Sequence, residues 1–239
     1  MTMASIQVKK IPAIAFALLL PMLLGLGCWQ LQRAQEKQHL LEMQASRQKG
    51  QPIQLNMESP TEFVDDWLFQ PVRVFGKFDD AHQILQTNQI RDGKVGFFVL
   101  TPFLLANGNK AIMVNRGWVA DKAGQTQLTQ NLPRQTLEIR GVINQFSRPG
   151  IVLAGADQPT EGWSSSVQVV NTTVISERFG YEIFGYQIEL DPSYDYGFSR
   201  NWQHSLSMPP EKHQAYAVQW FLLALTLTVL FIRYGFEKK

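Results

Sequence analysis

Two stretches of the chain carry no charge at all, and the long segment between them is polar with short alternating runs. Ile11 to Gln32 and Gln214 to Ile232 hold no Asp, Glu, Lys or Arg. As helices rising about 1.5 Å per residue, each would reach roughly 30 Å, the depth of a bilayer's hydrocarbon core. The second reads YAVQWFLLALTLTVLFI from Tyr216 and is nearly all apolar. The first contains Pro12 and Pro21, which membrane helices tolerate where the freed carbonyl finds another partner. From Cys28 to Lys49 neither Gly nor Pro intervenes. The first helix therefore continues into water as a polar extension, until Gly50 and Pro52 stop it.

Between the spans the pattern changes to β. Pro71 to Phe78 has apolar residues at 72, 74 and 78. Gln83 to Gln89 can pair with Gly96 to Phe103 across Arg91-Asp92-Gly93-Lys94, since Asp-Gly is a hairpin signal. A second turn at Asn107-Gly108-Asn109 leads into Lys110 to Val119. Thr136 to Ile143 alternates, Val167 to Ile175 is rich in β-branched residues and reads as a strand, Ser176 to Phe184 reads as a short helix, and Tyr186 to Leu190 as a last strand. The fold class expected is a membrane protein: two transmembrane α-helices, one at each end, flanking one mainly β (α+β) extracytoplasmic domain. The expected divisions are a tail at 1–10, a span at 11–32, the polar helix at 33–50, the β-rich domain at 51–212, a span at 213–232 and a tail at 233–239.

Composition narrows the function classes. The 239 residues carry a net charge of +2 without a long basic run, so dedicated nucleic-acid binding is not expected. A mean hydropathy of -0.14 excludes a many-span transporter. Cys28 is the one cysteine, which excludes an internal disulfide and a Cys-only zinc site. The flanks outside the two spans hold five basic residues and one acid, while the segment between holds 17 basic and 19 acidic residues. The positive-inside rule then puts both termini in the cytoplasm, or in the matrix of an organelle, and the β domain on the other side; the expected placement is a bacterial inner membrane with the domain periplasmic. A cleaved leader is the rival reading of the first span. Lys9 and Lys10 resemble its basic start, and Gly25-Leu26-Gly27-Cys28 resembles a lipoprotein site with leucine one position early. The uninterrupted helix after Cys28 favours an anchor that stays.

No Gly-x-Ser-x-Gly, P-loop, Rossmann glycine pattern or His-Glu-x-x-His occurs, and no enzymatic activity is expected. Asp65-Asp66 and Asp79-Asp80 read as solvated loop charges. His213 is the most informative residue. On a helix it shares a face with Tyr216, Ala217 and Trp220, an imidazole above a small residue with aromatic walls. Such a face suits haem iron as ligand partner; it equally suits an interfacial histidine in an aromatic belt. Trp29, Gln30, Arg33 and Lys37 repeat this spacing at the end of the first span. There a cation can hold an acidic group such as a haem propionate, or snorkel to lipid phosphate. Val114-Asn115-Arg116-Gly117-Trp118-Val119 sets a cation inside an apolar strand, with Gly117 marking a bulge or a close backbone approach. Arg116 either anchors a partner or satisfies buried carbonyls. His204, Met208 and His213 are soft enough for copper, although Pro209 and Pro210 break their register.

Taken in order, these segments resemble the Surfeit-locus (Surf-one) family of cytochrome c oxidase assembly factors. The resemblance is carried by Gly27-Cys28-Trp29-Gln30-Leu31-Gln32-Arg33, Val74-Phe75-Gly76-Lys77-Phe78-Asp79 and Gly96-Phe97-Phe98-Val99-Leu100-Thr101-Pro102-Phe103. It continues with Val114 to Val119, Leu137-Glu138-Ile139-Arg140-Gly141 and His213-Gln214-Ala215-Tyr216-Ala217-Val218-Gln219-Trp220-Phe221. It covers nearly the whole chain and is weakest from Gly155 to Met208. The resemblance implies a role in building the catalytic subunit of a haem-copper oxidase, with haem a as the bound group and haem a synthase as a second partner. It implies His213 as the haem-associated residue and iron ligand, and Tyr216, Trp220, Arg33 and Arg116 as further cofactor contacts. A haem-free membrane adaptor that stabilises oxidase subunits is the alternative.

Overall fold

The structure is a computed structural model that describes residues 6–106, 108–121, 132–148, 152, 154–202 and 208–238. The order of elements is β1 (Ile6–Val8), α1 (Lys10–Arg47), β2 (Ile53–Leu55), β3 (Pro71–Phe78), β4 (Ile84–Arg91), β5 (Lys94–Leu105) and β6 (Lys110–Ala120). Then follow β7 (Leu137–Asn144), β8 (Ser165–Val167), α2 (Thr172–Phe179), β9 (Glu182–Leu190), α3 (Pro210–Tyr234) and β10 (Phe236–Lys238). They form two compact units, one from the two ends of the chain and one from Gln44–Gln203.

The first unit is a helical pair. α1 and α3 are both long and apolar enough to cross a membrane, and only 6% and 11% of their most apolar windows are buried. The core helix of a water-soluble domain buries most of such a stretch, and these do not. Among the residues α1 turns inward, Phe16, Leu20, Leu23, Gly27, Gln30 and Ala34 follow an alternating four-and-three spacing that keeps one seam facing a partner helix. α3 answers with Pro210, His213, Ala217 and Ala224. Phe16 stacks on Phe231 at 4.3 Å, and a side-chain carbon on Gly27 would stand 2.5 Å from Phe221 Cε1, so the helices run antiparallel. β1 and β10 pair antiparallel beyond their ends, Gln7 opposite Glu237.

The second unit is a β barrel. The order β3-β7-β9-β6-β5 closes on itself because β3 also pairs with β5, Gly76 opposite Leu105 and Phe78 opposite Phe103. β2 extends the sheet from β3, and β4 followed by β8 extends it from β5. Alternation fills the interior: Val72, Val74, Phe103, Ile112, Val114, Ile139, Ile143, Phe184, Tyr186, Ile188 and Leu190 form one buried cluster. A second cluster on the outer face of the sheet, with Ile84, Leu100 and Met113, is roofed by Ile175 of α2. Each such buried side chain contributes roughly 1.5–3 kcal/mol relative to exposure.

The hairpin at Asp92-Gly93 forms as its turn residues require, with φ of 48° and 72°. Asn107 of the second expected turn lies outside the described residues. Two sequence readings are corrected. Val167 to Ile175 is not a strand, and the helix does not run from Ser176 to Phe184. The strand β8 ends at Val167, and α2 begins at Thr172. Asn171 starts it, its side-chain oxygen accepting from the amides of Thr173 and Val174, and this cap outweighs the β-branched preference of the segment. Gly180, left-handed at φ 75°, ends it.

Candidate functional site

The helical pair buries two polar side chains at one level of its seam. Gln30 of α1 is 9% exposed and His213 of α3 is 7% exposed. Their Oε1 and Nδ1 atoms are 2.7 Å apart. The neighbours that let them meet are small: Gly27 and Ala34 on α1 and fully buried Ala217 on α3. Small residues on a helix seam allow backbones to approach and polar side chains to bridge. His213 Nε2 makes no hydrogen bond among the described residues. It is the kind of imidazole nitrogen that donates to haem iron, so the donor chemistry here fits that group.

The other candidates separate. Tyr216 and Trp29 are largely exposed and Trp220 is half-buried, giving the helical pair an aromatic collar near the His213 level. Arg33 is exposed, 2.7 Å from Glu36, with its guanidinium 5.9 Å from the Trp29 ring centre. Its charge is thus shared with a neighbouring carboxylate one turn on.

Arg116 belongs to the barrel unit and is fully buried. Its Nε donates to the Tyr196 carbonyl at 2.9 Å, and its guanidinium lies 5.0 Å from the Phe198 ring centre. Burial, reinforced by nearby Arg200, pulls its pKa down to about 10. Gly117 bears out both of its sequence readings. The β5–β6 register slips there, between Phe98–Trp118 and Leu100–Asn115. At φ 119° a side-chain carbon would also stand 2.8 Å from Ser199 O. The Val114–Val119 motif is therefore the socket for residues 194–200. The Phe198 amide donates to the Arg116 carbonyl, and Trp118 and Ser199 exchange backbone hydrogen bonds.

The sequence reading placed Gln30 in the Trp29–Lys37 cluster but missed its bond to His213, and it missed the surroundings of Asp79. Gln30 was recognisable as a polar residue on an otherwise small and apolar seam, the signal for a buried helix–helix hydrogen bond. Asp79 is not a solvated loop charge. Its Oδ2 is 2.6 Å from His82 Nδ1 and accepts from the Tyr181 hydroxyl at 2.9 Å, while Trp163 and Phe179 flank the imidazole. Burial, with Asp79 as lesser cause, pushes the Tyr181 hydroxyl pKa well up. Among the described residues no cluster of three or more His, Cys, Asp or Glu side chains is placed to hold a metal ion. His204 of the copper reading lies outside them.

The model of the SURF1 family matches residues 17–225, a span that includes Gln30, Arg116 and His213. A SURF1-like protein of Dictyostelium discoideum is 25% identical over 262 residues, covering 93% of this chain and 93% of that protein. A SURF1-like protein of Rickettsia felis is 26% identical over 228 residues, covering 89% and 91%. The cytochrome oxidase assembly protein SHY1 of Saccharomyces cerevisiae is 25% identical over 97 residues, covering 41% of this chain and 25% of that protein. With nearly its full length matched, this chain belongs to the SURF1 family, a family of assembly factors and not of enzymes.

Proposed function

We propose that this protein is a membrane-anchored assembly factor for cytochrome c oxidase that holds haem a and delivers it to the catalytic subunit. One observation carries the haem reading: His213 bonds Gln30 through Nδ1 at 2.7 Å and keeps Nε2 without a hydrogen bond among the described residues, at the end of a helical pair whose outer surface is apolar. Kinship with a named oxidase assembly protein supports the oxidase as target. The cargo is too apolar to diffuse freely in water, so it reaches the protein through the bilayer, where α1 and α3 stand. Both spans stay in the bacterial inner membrane with the termini cytoplasmic and the barrel periplasmic, as the flanking charge favours. Here His213 contacts the iron, Tyr216 and Trp220 wall the ring, and Arg33 pairs with a propionate by opening its bond to Glu36. The barrel docks the oxidase subunit, and haem a synthase passes on the cargo.

A second reading has its own support. A buried Gln–His hydrogen bond also locks two helices together, and an adaptor needs no more than that. Complementation separates the two. In cells lacking this protein, the wild type restores the oxidase spectrum; the haem reading expects His213→Ala to fail although the chain still co-purifies with the oxidase subunit. Failure of His213→Ala together with loss of co-purification favours the adaptor, and full rescue overturns the haem role.

A further inference from the structure

We infer that Gln30 is a positioning residue for His213: its side-chain carbonyl holds the imidazole with hydrogen on Nδ1 and a bare lone pair on Nε2. The inference deepens the haem reading and rests on it for its purpose, while its geometry stands alone. In the seam Oε1 of Gln30 faces Nδ1 at 2.7 Å, and an amide oxygen in that place accepts, so the ring nitrogen facing it donates. A neutral imidazole carries one N–H, and with Nδ1 protonated the lone pair falls on Nε2. The opposite tautomer would need the Gln30 amide turned over, its NH2 donating to a bare Nδ1 in place of the oxygen, at a seam where the two residues are 9% and 7% exposed.

Gln30 lies on α1 and His213 on α3, 183 positions apart in the chain. The bond therefore exists only while the helices are paired at this register, which Gly27 and Phe221 set one or two turns away. Pairing of the spans and readiness of the imidazole become one event. Acceptors placed behind a metal-bound histidine fix its tautomer and raise its basicity, and losing one costs about 10- to 100-fold in affinity.

The test uses the full chain in lipid nanodiscs, first haem-free with ¹⁵N-labelled histidine, then isolated after co-expression with haem a synthesis. Nitrogen shifts of the haem-free wild type should show Nδ1 protonated and Nε2 bare. Gln30→Glu keeps an acceptor; it should preserve that signature, retain haem and raise the iron–nitrogen stretching frequency. Gln30→Leu should release the tautomer and weaken haem binding about 10- to 100-fold. Protonated Nε2 in the wild type, or a Gln30→Leu chain unchanged in tautomer and haem, overturns the assignment. Haem absent from all three chains, with Nδ1 protonated in the wild type, overturns the haem reading and leaves Gln30's role standing.

Discussion

Arg116 in the barrel and His213 in the helical pair are both buried nitrogen-bearing side chains, each in a family motif. Their surroundings differ in what is left over. Arg116 is ringed by the segment it holds: the Tyr196 carbonyl takes its Nε, the Phe198 ring covers its guanidinium, and the Phe198 amide returns to its backbone. Among the described residues His213 has one hydrogen-bond partner, Gln30, and one nitrogen beyond it. A buried polar group identifies a binding site by the bonding capacity it keeps, and Arg116 reads as stitching by that measure.

The largest expected effect comes from removing the stitch. Arg116→Ala strips a donor from a buried carbonyl and leaves a cavity, costing about 3 kcal/mol or more. Urea unfolding of the detergent-solubilised chain, followed by tryptophan fluorescence, measures it. Arg116→Lys should recover little, because an ammonium lacks the planar fork. If Arg116→Ala left stability intact and removed haem, the contrast between the two regions would be reversed.

Closure of each unit comes next. At Gly76 an added side chain meets the Leu104 carbonyl across the β3–β5 seam, so Gly76→Val should cost about 1–3 kcal/mol in the same unfolding assay. At Gly27 the obstacle is the Phe221 ring. Gly27→Leu should part the helices and lower cross-linking between cysteines placed at Phe16 and Phe231 in a Cys28→Ser chain. Barrel stability should stay within about 0.5 kcal/mol of the parent, and a large loss there would break the division into two regions.

The smallest effect is alkaline. Burial pushes the Tyr196 hydroxyl up to about 12 from 10.0, and Tyr181 and Tyr186 higher still. An unfolded chain releases those protons near pH 10 while the folded barrel keeps them. The contribution is therefore complete below pH 10 and is lost as pH rises through 12. Arg116, lowered from 12.5 to about 10, works in the opposite sense, as do Arg91 and Arg200, also lowered by burial, so the tyrosines are followed by their own absorbance. Absorbance at the phenolate band should show a late class of tyrosines that ionises together with unfolding, and a single early class would contradict their burial.

Both helices and the β character were legible because charge-free runs and period-two alternation are local properties of the chain. Barrel closure was not, since β3 meets β5 and β6 lies parallel to β9 through contacts that no local pattern encodes. The segment from Val167 to Phe184 misled because β-branched residues there sit under a helix cap. At the candidate site, spacing pointed to the His213 face and to the Trp29–Lys37 cluster, which meet if the two helices pair. That Gln30 is the member facing His213 depends on the register of two helices from opposite ends of the chain. Asp79 and His82 were passed over for a similar reason, as Tyr181 completes that cluster from 102 positions away.

The most direct measurement is haem a per chain for the purified wild type and for His213→Ala, both co-expressed with haem a synthesis and compared by reduced-minus-oxidised spectra. The account predicts a haem a spectrum on the wild type and at least tenfold less on the variant at equal protein. Equal haem on both chains would contradict it.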